Sequence, residues 1–525
     1  MVAGVASGAA ALGVGELVAG LRSYWQSPVV GVATAIIDRV PRPVKDFAVR
    51  NFGRNDKRAL IVGILVLSVV FATLLGLVAR CRPRLSSAGF VAFALVGVWG
   101  SQQAATSVVS GVLPSLAAGA AGIAALTFLF GRAQSAVPGR EALSDGDTQP
   151  VQPDAEQPVD AEPPAPDSPT RRAFMLAIGG VALVAVAAAA GGRALRSRFS
   201  AAASRQNVAL PIPADPLAVA PDSVMSTVPG VNSFYTSNAG FYRIDTAVEV
   251  PQVQADTWEL RIHGMVDKEL RLSFDDLLQR KFVEEDITLT CVSNTVGGDL
   301  VGTARWLGTS LKDLLDEAGV HPSADQLVGR SVDGWTSGFP LAALDGRPAL
   351  LAIGMNGEPL PLEHGFPARV IVPGLYGYVS ATKWVTELEV TRFDAYDAYW
   401  VQRGWSDRGP IKTQSRIDTP RTLASVPAGT VNVGGVAWAQ TVGIARVEVQ
   451  IDDGSFADAT LADQLSVNTW RLWSFEWKNA SAGRHRITVR ATDANGVVQT
   501  ADRADPFPNG ASGWMSILVN VQGAA

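Results

Sequence analysis

The sequence predicts three architectures in series: an α-helical transmembrane module, a mixed α+β domain and an all-β sandwich. Three observations carry that expectation. Long uncharged runs rich in alanine, valine and glycine fill the chain up to about Ser200 and then stop. From about Asn207, short alternating strands are interleaved with a few amphipathic helices. Beyond residue 418, strand patterns continue without helices.

Composition narrows the function classes. The chain has 525 residues, enough for about three or four domains. A net charge of -5 with no basic face gives no reason to expect a nucleic-acid partner. Two cysteines, Cys81 and Cys291, exclude a disulfide scaffold.

A membrane-spanning helix needs about 20 apolar residues. "ALIVGILVLSVVFATLLGLVA" (59–79) meets that requirement, and "AFMLAIGGVALVAVAAAAGG" (173–192) is the last span. "SAGFVAFALVGVWG" (87–100) and "VVSGVLPSLAAGAAGIAALTFLF" (108–130) read as an antiparallel pair around the polar "SQQAAT". The run up to Leu21 is kept as a fifth span, although its glycines and Glu16 count against it. Lysine and arginine favour the cytoplasmic ends of spans. "RCRPR" (80–84) and "TRR" (170–172) are therefore expected inside, and everything after Gly192 outside the cytoplasm. The basic stretch 38–58 falls outside by the same count, so either the first run is a re-entrant hairpin or this stretch lies along the surface as an amphipathic piece.

The expected division is transmembrane helices over 1–134, a linker over 135–170, the last span over 171–204, the α+β domain over 205–417 and the sandwich over 418–525. The linker is acidic and proline-rich, a composition that cannot bury enough apolar surface to offset its ordering entropy, so cytoplasmic disorder is expected. "TRRAF" (170–174) resembles a twin-arginine export signal placed internally; the alternative is a pair of arginines that only sets topology. The spans contain no histidine: His263, His321, His364 and His485 all lie in the later half. A membrane haem usually takes histidine as axial ligand, so no haem is expected. Apart from Glu16 the spans lack the ionisable residues of a proton path, which favours an anchor over a transporter.

In the later half, "TWELRIHGMV" reads as a strand and "SFDDLLQR" as a helix whose start suits Ser273 and Asp275. "DITLTC" reads as a strand and "GTSLKDLLDEAGV" as an amphipathic helix with Gly319 near its end. "ARVIVPG" and "KWVTELEVTRF" read as further strands. Cys291 closes the "DITLTC" strand. A free cysteine is most often a small buried hydrophobe, and position alone favours that role.

Its neighbours point the other way. "TLTCVSN…GTARWLGTSLKDLL", "FYRIDTAVEVPQVQADTWELRIHG", "LLAIGMNGEPLPLEHGFPARVIVPGLYGY" and "SATKW" together resemble the molybdopterin domain of the sulfite oxidase family. The resemblance runs from about Asn238 to the C-terminus. It implies a molybdenum-molybdopterin cofactor with Cys291 as the thiolate ligand of the metal. A soft thiolate suits a heavy redox metal. His364, Arg369, Ser380, Thr382 and Lys383 are the implied providers for the pterin's phosphate. Asn238, Tyr242 and Arg243 would line the cofactor side, with Arg243 also catalytic, and Ser331 and Asp333 would lie near the pterin. Each has a structural alternative: an ion pair for Arg369, surface exposure for Lys383, a turn for Ser331 and Asp333.

Two departures limit what the resemblance implies. The family's cysteine motif continues with an asparagine and two arginines, whereas Asn294 is followed by Thr295 and Val296. The family's active-site tyrosine, two residues before "MNG", is replaced by Ile353. Arg243 does match the family's arginine in "FYR". Sulfite is a small dianion recognised by clustered cations, so sulfite is not assigned. Arg403, Trp405 and Lys412 in the linking segment 393–417 suit either a rim to the metal site or plain packing at a domain junction.

Residues 418–525 show an immunoglobulin-like sandwich pattern without its disulfide. They resemble the dimerisation domain that follows the molybdenum domain in this family, which implies a possible homodimer. Two readings stand open. One is a membrane-anchored oxidoreductase performing oxo-transfer on a small-molecule substrate outside the cytoplasm, with a separate protein or quinone as electron carrier. The other is a non-catalytic extracytoplasmic binding protein that retains the fold.

Overall fold

The computed structural model describes residues 1–23, 25–41, 44, 47–48, 51–52, 55–104, 111–134 and 169–523. The chain divides into two compact units, Met1–Phe199 and Ser200–Ala525.

The first unit is helical: α1 (Val2–Ala19), α2 (Pro28–Arg39), α3 (Asp56–Val78), α4 (Pro83–Ala104), α5 (Val112–Gln134) and α6 (Pro169–Ser197). Among the described residues, five helices are long and apolar enough to cross a membrane, by length and composition. The expected spans correspond to α1, α3, α4, α5 and α6, with residues 108–110 of the span 108–130 outside the described residues, while α2, with 12 residues, is too short and was not anticipated. Most of the expected linker, residues 135–168, lies outside the described residues, as does part of the basic stretch 38–58.

The glycines that count against α1 turn out to be its contact points. A Cβ on Gly4 would collide with the Ala72 carbonyl oxygen of α3, and one on Gly13 with that of Ala185 in α6. Small residues let apolar helices approach backbone to backbone. Glu16, the other feature against this span, accepts a hydrogen bond from the Ser27 hydroxyl at the start of α2.

The second unit begins with α7 (Ala202–Asn207) and builds two sheets and a sandwich. The strands of its first part are β1 (Glu259–Gly264), β2 (Leu270–Ser273), β3 (Phe282–Thr290), β4 (Val301–Ser310), β5 (Gln326–Ser331), β6 (Thr336–Pro340), β7 (Leu350–Met355), β8 (Glu358–Pro359), β9 (Arg369–Ile371) and β10 (Val385–Thr391). One sheet runs β2-β1-β10-β5-β6; the other runs β3-β4-β7-β8, with β9 on β7. The pairing is antiparallel except for β1 with β10.

Short helices α8 (Phe274–Leu278), α9 (Leu311–Ala318) and α10 (Gly377–Ser380) complete this part. At the start of α8, Ser273 forms a capping box with Asp276, so the residue after Asp275 closes the cap. Helix α9 starts on the Ser310 hydroxyl and ends at Gly319, whose φ of 72° is the left-handed turn that glycine tolerates. One apolar core spans both sheets and includes Leu260, Ile287, Trp306, Leu351, Ile371 and Val390.

The sandwich has two packed sheets. Its strands are β11 (Gln414–Thr419), β12 (Ser425–Pro427), β13 (Gly429–Trp438), β14 (Ile444–Ile451), β15 (Ala457–Asp458), β16 (Thr460–Leu461), β17 (Arg471–Ala480), β18 (Gly483–Asp493) and β19 (Met515–Gln522). The orders are β11-β13-β17-β16 and β12-β19-β18-β14-β15, around Val433, Trp473, Ile487 and Val519. This domain grips β3: the Trp470 N–H donates to the Thr288 hydroxyl at 2.8 Å, and Thr288 N–H donates to Asn468 O at 3.0 Å.

Candidate active site

Cys291 follows directly on β3, whose last pairs are Leu289 with Gly302 and Thr290 with Val301. Its N–H donates to Leu300 O at 2.9 Å, and the Asn294 side chain accepts from Leu300 N at 2.9 Å. Asn294 thus closes the loop that presents the thiol, a local reason for asparagine three residues after the cysteine. Cys291 is 8% exposed and opens on a cavity of about 130 Å³. Burial pushes its thiol pKa up, against hydrogen bonds from Ser293 and the charge of Lys383.

Tyr242, Cys291, Ser331, Asp333, His364, Arg369 and Lys383 line that one cavity. They come from the 241–246 segment, the end of β3, the β5–β6 turn, the turn before β9, β9 itself and the segment before β10.

His364 is buried, and its Nε2 lies 3.1 Å from Asn238 O. Because a carbonyl only accepts, Nε2 carries the proton. Burial, with the charge of Arg369 adding to it, pulls the His364 pKa down to about 4. Arg369 Nη1 donates to His364 O at 3.1 Å, and the guanidinium lies 5.1 Å from the centre of the Trp306 ring. Burial brings its pKa down to about 10. Lys383 donates to Asp245 at 2.5 Å and to Glu363 O at 3.3 Å. Burial lowers the Lys383 pKa to about 8, while the Asp245 carboxylate opposes the fall. Burial also raises the Tyr242 phenol, near the charges of Cys291 and Arg369, and the Asp333 carboxyl.

Four expected residues stand apart from the cavity wall. Asn238 bonds Met355 O at 3.2 Å and the Asn356 amide at 2.9 Å, and reaches the site through the carbonyl that holds His364. Arg243 forms a forked pair with Asp245, at 2.7 and 3.2 Å. Ser380 donates to the carbonyls of Leu375 and Tyr376 in the turn of α10. The Thr382 hydroxyl lies 2.5 Å from that of Ser337.

The structure adds Asp245, Trp335, Tyr378, Trp384 and Trp400 to the wall. Trp405 lines it too, and also packs on Phe507 of the sandwich, with ring centres 5.4 Å apart. It therefore serves as rim and as junction at once. Arg403 instead lies 3.6 Å from the centre of the Tyr399 ring, and Lys412 donates to Gly510 O at 2.6 Å. Thr295 is exposed and Ile353 sits in the core.

These donors fit an anionic pterin cofactor. Arg369 Nε is buried without a hydrogen-bond partner among the described residues, which leaves a charged donor to be satisfied. Among the described residues no three His, Cys, Asp or Glu converge on a metal. A metal held by Cys291 would need its remaining ligands from a bound group, such as a dithiolene cofactor.

Sequence comparison agrees. Residues 247–400 match the family described as "Oxidoreductase molybdopterin binding domain", and residues 414–489 match "Bacterial Ig domain". An uncharacterized oxidoreductase, YuiH of Bacillus subtilis (strain 168), is 34% identical over 162 residues, 31% of this chain and 79% of that protein. Mitochondrial sulfite oxidase of Macaca fascicularis is 31% identical over 289 residues, 46% of this chain and 52% of that protein. The chain thus spans about half the length of the mammalian sulfite oxidases it matches. The crystal structure of the sulfane dehydrogenase SoxCD from Paracoccus pantotrophus aligns over 63% of this chain and 97% of that one, with 21% identity and a TM-score of 0.49.

Fold and site together define a molybdopterin-dependent oxidoreductase domain followed by an immunoglobulin-like domain. The chain belongs to the sulfite oxidase family.

Proposed function

We propose that this protein is a membrane-anchored oxidoreductase that moves an oxygen atom to or from a small substrate carrying at most one negative charge. The cavity wall carries the proposal. Beside Cys291 it is built largely of aromatic rings: Phe241, Trp335, Tyr378, Trp400 and Trp405. Of the basic residues nearby, Arg243 and Lys383 are already paired with Asp245, and neither Thr295 nor Ile353 brings a positive charge to an oxyanion. Such a wall suits a neutral body with one polar group better than a dianion.

When bound, the molybdenum centre supplies two-electron redox chemistry, so oxidation of a substrate S follows S + H₂O → SO + 2H⁺ + 2e⁻ and reduction runs in reverse. The chain's own contributions are distinct. Cys291 would anchor the metal, while Arg369, Lys383 and neutral His364 would hold the cofactor's anionic and polar groups. The aromatic rings would exclude water and orient the substrate. Electrons would pass to a separate protein or quinone.

The basic "RCRPR" and "TRR" segments support a layout with this domain outside the cytoplasm, and "TRRAF" supports twin-arginine export of a cofactor-loaded domain.

The test is dye-coupled turnover on protein of verified molybdenum content. Charge-assisted hydrogen bonds contribute about 1.5–3 kcal/mol, so one missing arginine should weaken sulfite recognition roughly tenfold to a hundredfold. A neutral sulfoxide or N-oxide should be turned over with the higher kcat/KM, and Cys291→Ser should abolish both activities. Sulfite kinetics matching those of true sulfite oxidases would overturn the substrate class. Protein that never holds molybdenum would instead be a binding protein.

A further inference from the structure

Asp245 is an acidic wall residue that pairs with one cation of the wall, Lys383, and with one that stands apart from it, Arg243. It lies in "FYRIDT", two residues beyond Arg243, and its side chain is 6% exposed. One carboxylate oxygen accepts from Lys383 Nζ at 2.5 Å and from Arg243 Nε at 2.7 Å, and the other from Arg243 Nη2 at 3.2 Å. Arg243 and Lys383 are far apart in sequence and arrive on different segments. The carboxylate joins them.

An ammonium has three N–H donors on a flexible stem. On Lys383, Asp245 and the Glu363 carbonyl take two of them, and the Trp384 ring lies 4.6 Å from the nitrogen. Lys383 itself lines the cavity with His364 and Arg369. The aim of its remaining donor is therefore set by the groups behind it, and the carboxylate is the only one of these that is charged.

We propose that Asp245 is a positioning residue for cofactor binding: it joins Arg243 to Lys383 and aims the remaining Lys383 N–H at the anionic group of the bound molybdopterin. Removing the carboxylate frees the lysine to turn along its stem, and the cofactor loses a directed donor although Lys383 itself is unchanged. The inference rests on the proposed placement of the cofactor in this cavity.

The experiment follows release of the pterin from holoprotein at a temperature well below unfolding, read by fluorescence of the oxidised pterin, for Asp245→Asn, Lys383→Met and the double variant. Wild-type protein that holds no pterin would overturn the cofactor placement itself. With pterin present, Asp245→Asn should speed release by about tenfold, in the range expected for one charge-assisted hydrogen bond. Asp245→Glu should restore most of the retention. The double variant should release no faster than Lys383→Met alone, since the carboxylate acts through that lysine. Release from Asp245→Asn at the wild-type rate, or a double-variant effect equal to the product of the single effects, would overturn the positioning role. A purely structural Asp245 would lower the melting temperature and leave the two effects multiplicative.

Discussion

His364 shows how burial fixes the state of one side chain in this site. Its neutral ring donates from Nε2 to Asn238 O, beside the Arg369 guanidinium. With a folded pKa near 4 against an ordinary 6.5, the ring is neutral in both folded and unfolded chains above about pH 6.5. As pH falls from there, the unfolded chain takes up a proton that the folded ring refuses. Stability is therefore lost across the window from about 6.5 down to about 4, by about 3 kcal/mol from this residue. Denaturation midpoints at pH 7 and pH 4.5 should show a smaller acid-side fall in His364→Gln than in the parent. Equal falls would mean that another group carries the acid sensitivity. His364, Arg369, Lys383 and Cys291 were legible in the sequence because each sits in a distinctive run of neighbours. Asp245 was not, although it stands two residues from Arg243. An acid beside an arginine on a polar segment reads as an exposed pair, and only the fold shows the carboxylate buried against Lys383. Trp335 and Trp400 escaped for a similar reason: tryptophan serves a core or a pocket equally well, and the residue type does not say which.

At the scale of elements, β3 carries the cysteine and the sandwich holds β3. Thr288 is fully buried; its hydroxyl meets that of Thr303 on β4 at 2.5 Å and accepts from the Trp470 N–H at 2.8 Å. Trp470 in turn donates from its indole to Phe234 O at 2.9 Å. Replacing Thr288 by valine keeps the shape and strands a buried N–H, which costs about 1–3 kcal/mol. Chemical denaturation should register that loss, while Thr288→Ser should lie close to the parent. A valine variant as stable as the parent would show that the two domains do not depend on this bond. The strands themselves were readable because alternation and β-branched residues mark them directly. Contacts between domains leave no such periodic trace. In α1 the local rule even points the wrong way. Glycine is a poor helix former in isolation, yet Gly4 and Gly13 are where the neighbouring backbones press closest.

The whole molecule is two compact units in sequence, each with its own apolar interior. Among the described residues of Met1–Phe199, a core of Ala11, Leu75, Phe90 and Leu126 is buried, while many large apolar side chains face outward, Leu67, Leu95 and Leu183 among them. Outward apolar surface of this kind suits the proposed membrane anchor, since in lipid it need not be hidden. Ser200–Ala525 is the reverse. Its clusters bury tryptophans 306, 438, 470 and 473, and its exposed large apolar residues are scattered along the chain, as Ile212, Val332 and Leu423 are. Scattered apolar residues do not drive association, and a chain of this length buries ample surface on folding. A protein beginning at Ser200 should accordingly be soluble without detergent and melt cooperatively. Expressed in a cytoplasm that makes the cofactor, it should carry molybdenum at the stoichiometry of the full chain, because every residue proposed to hold the cofactor lies within it. Metal analysis and calorimetry on the two proteins check both halves of that expectation. Aggregation of the shortened chain would mean that its fold depends on the helices. A soluble, folded chain without metal would instead show that loading needs the segment before Ser200.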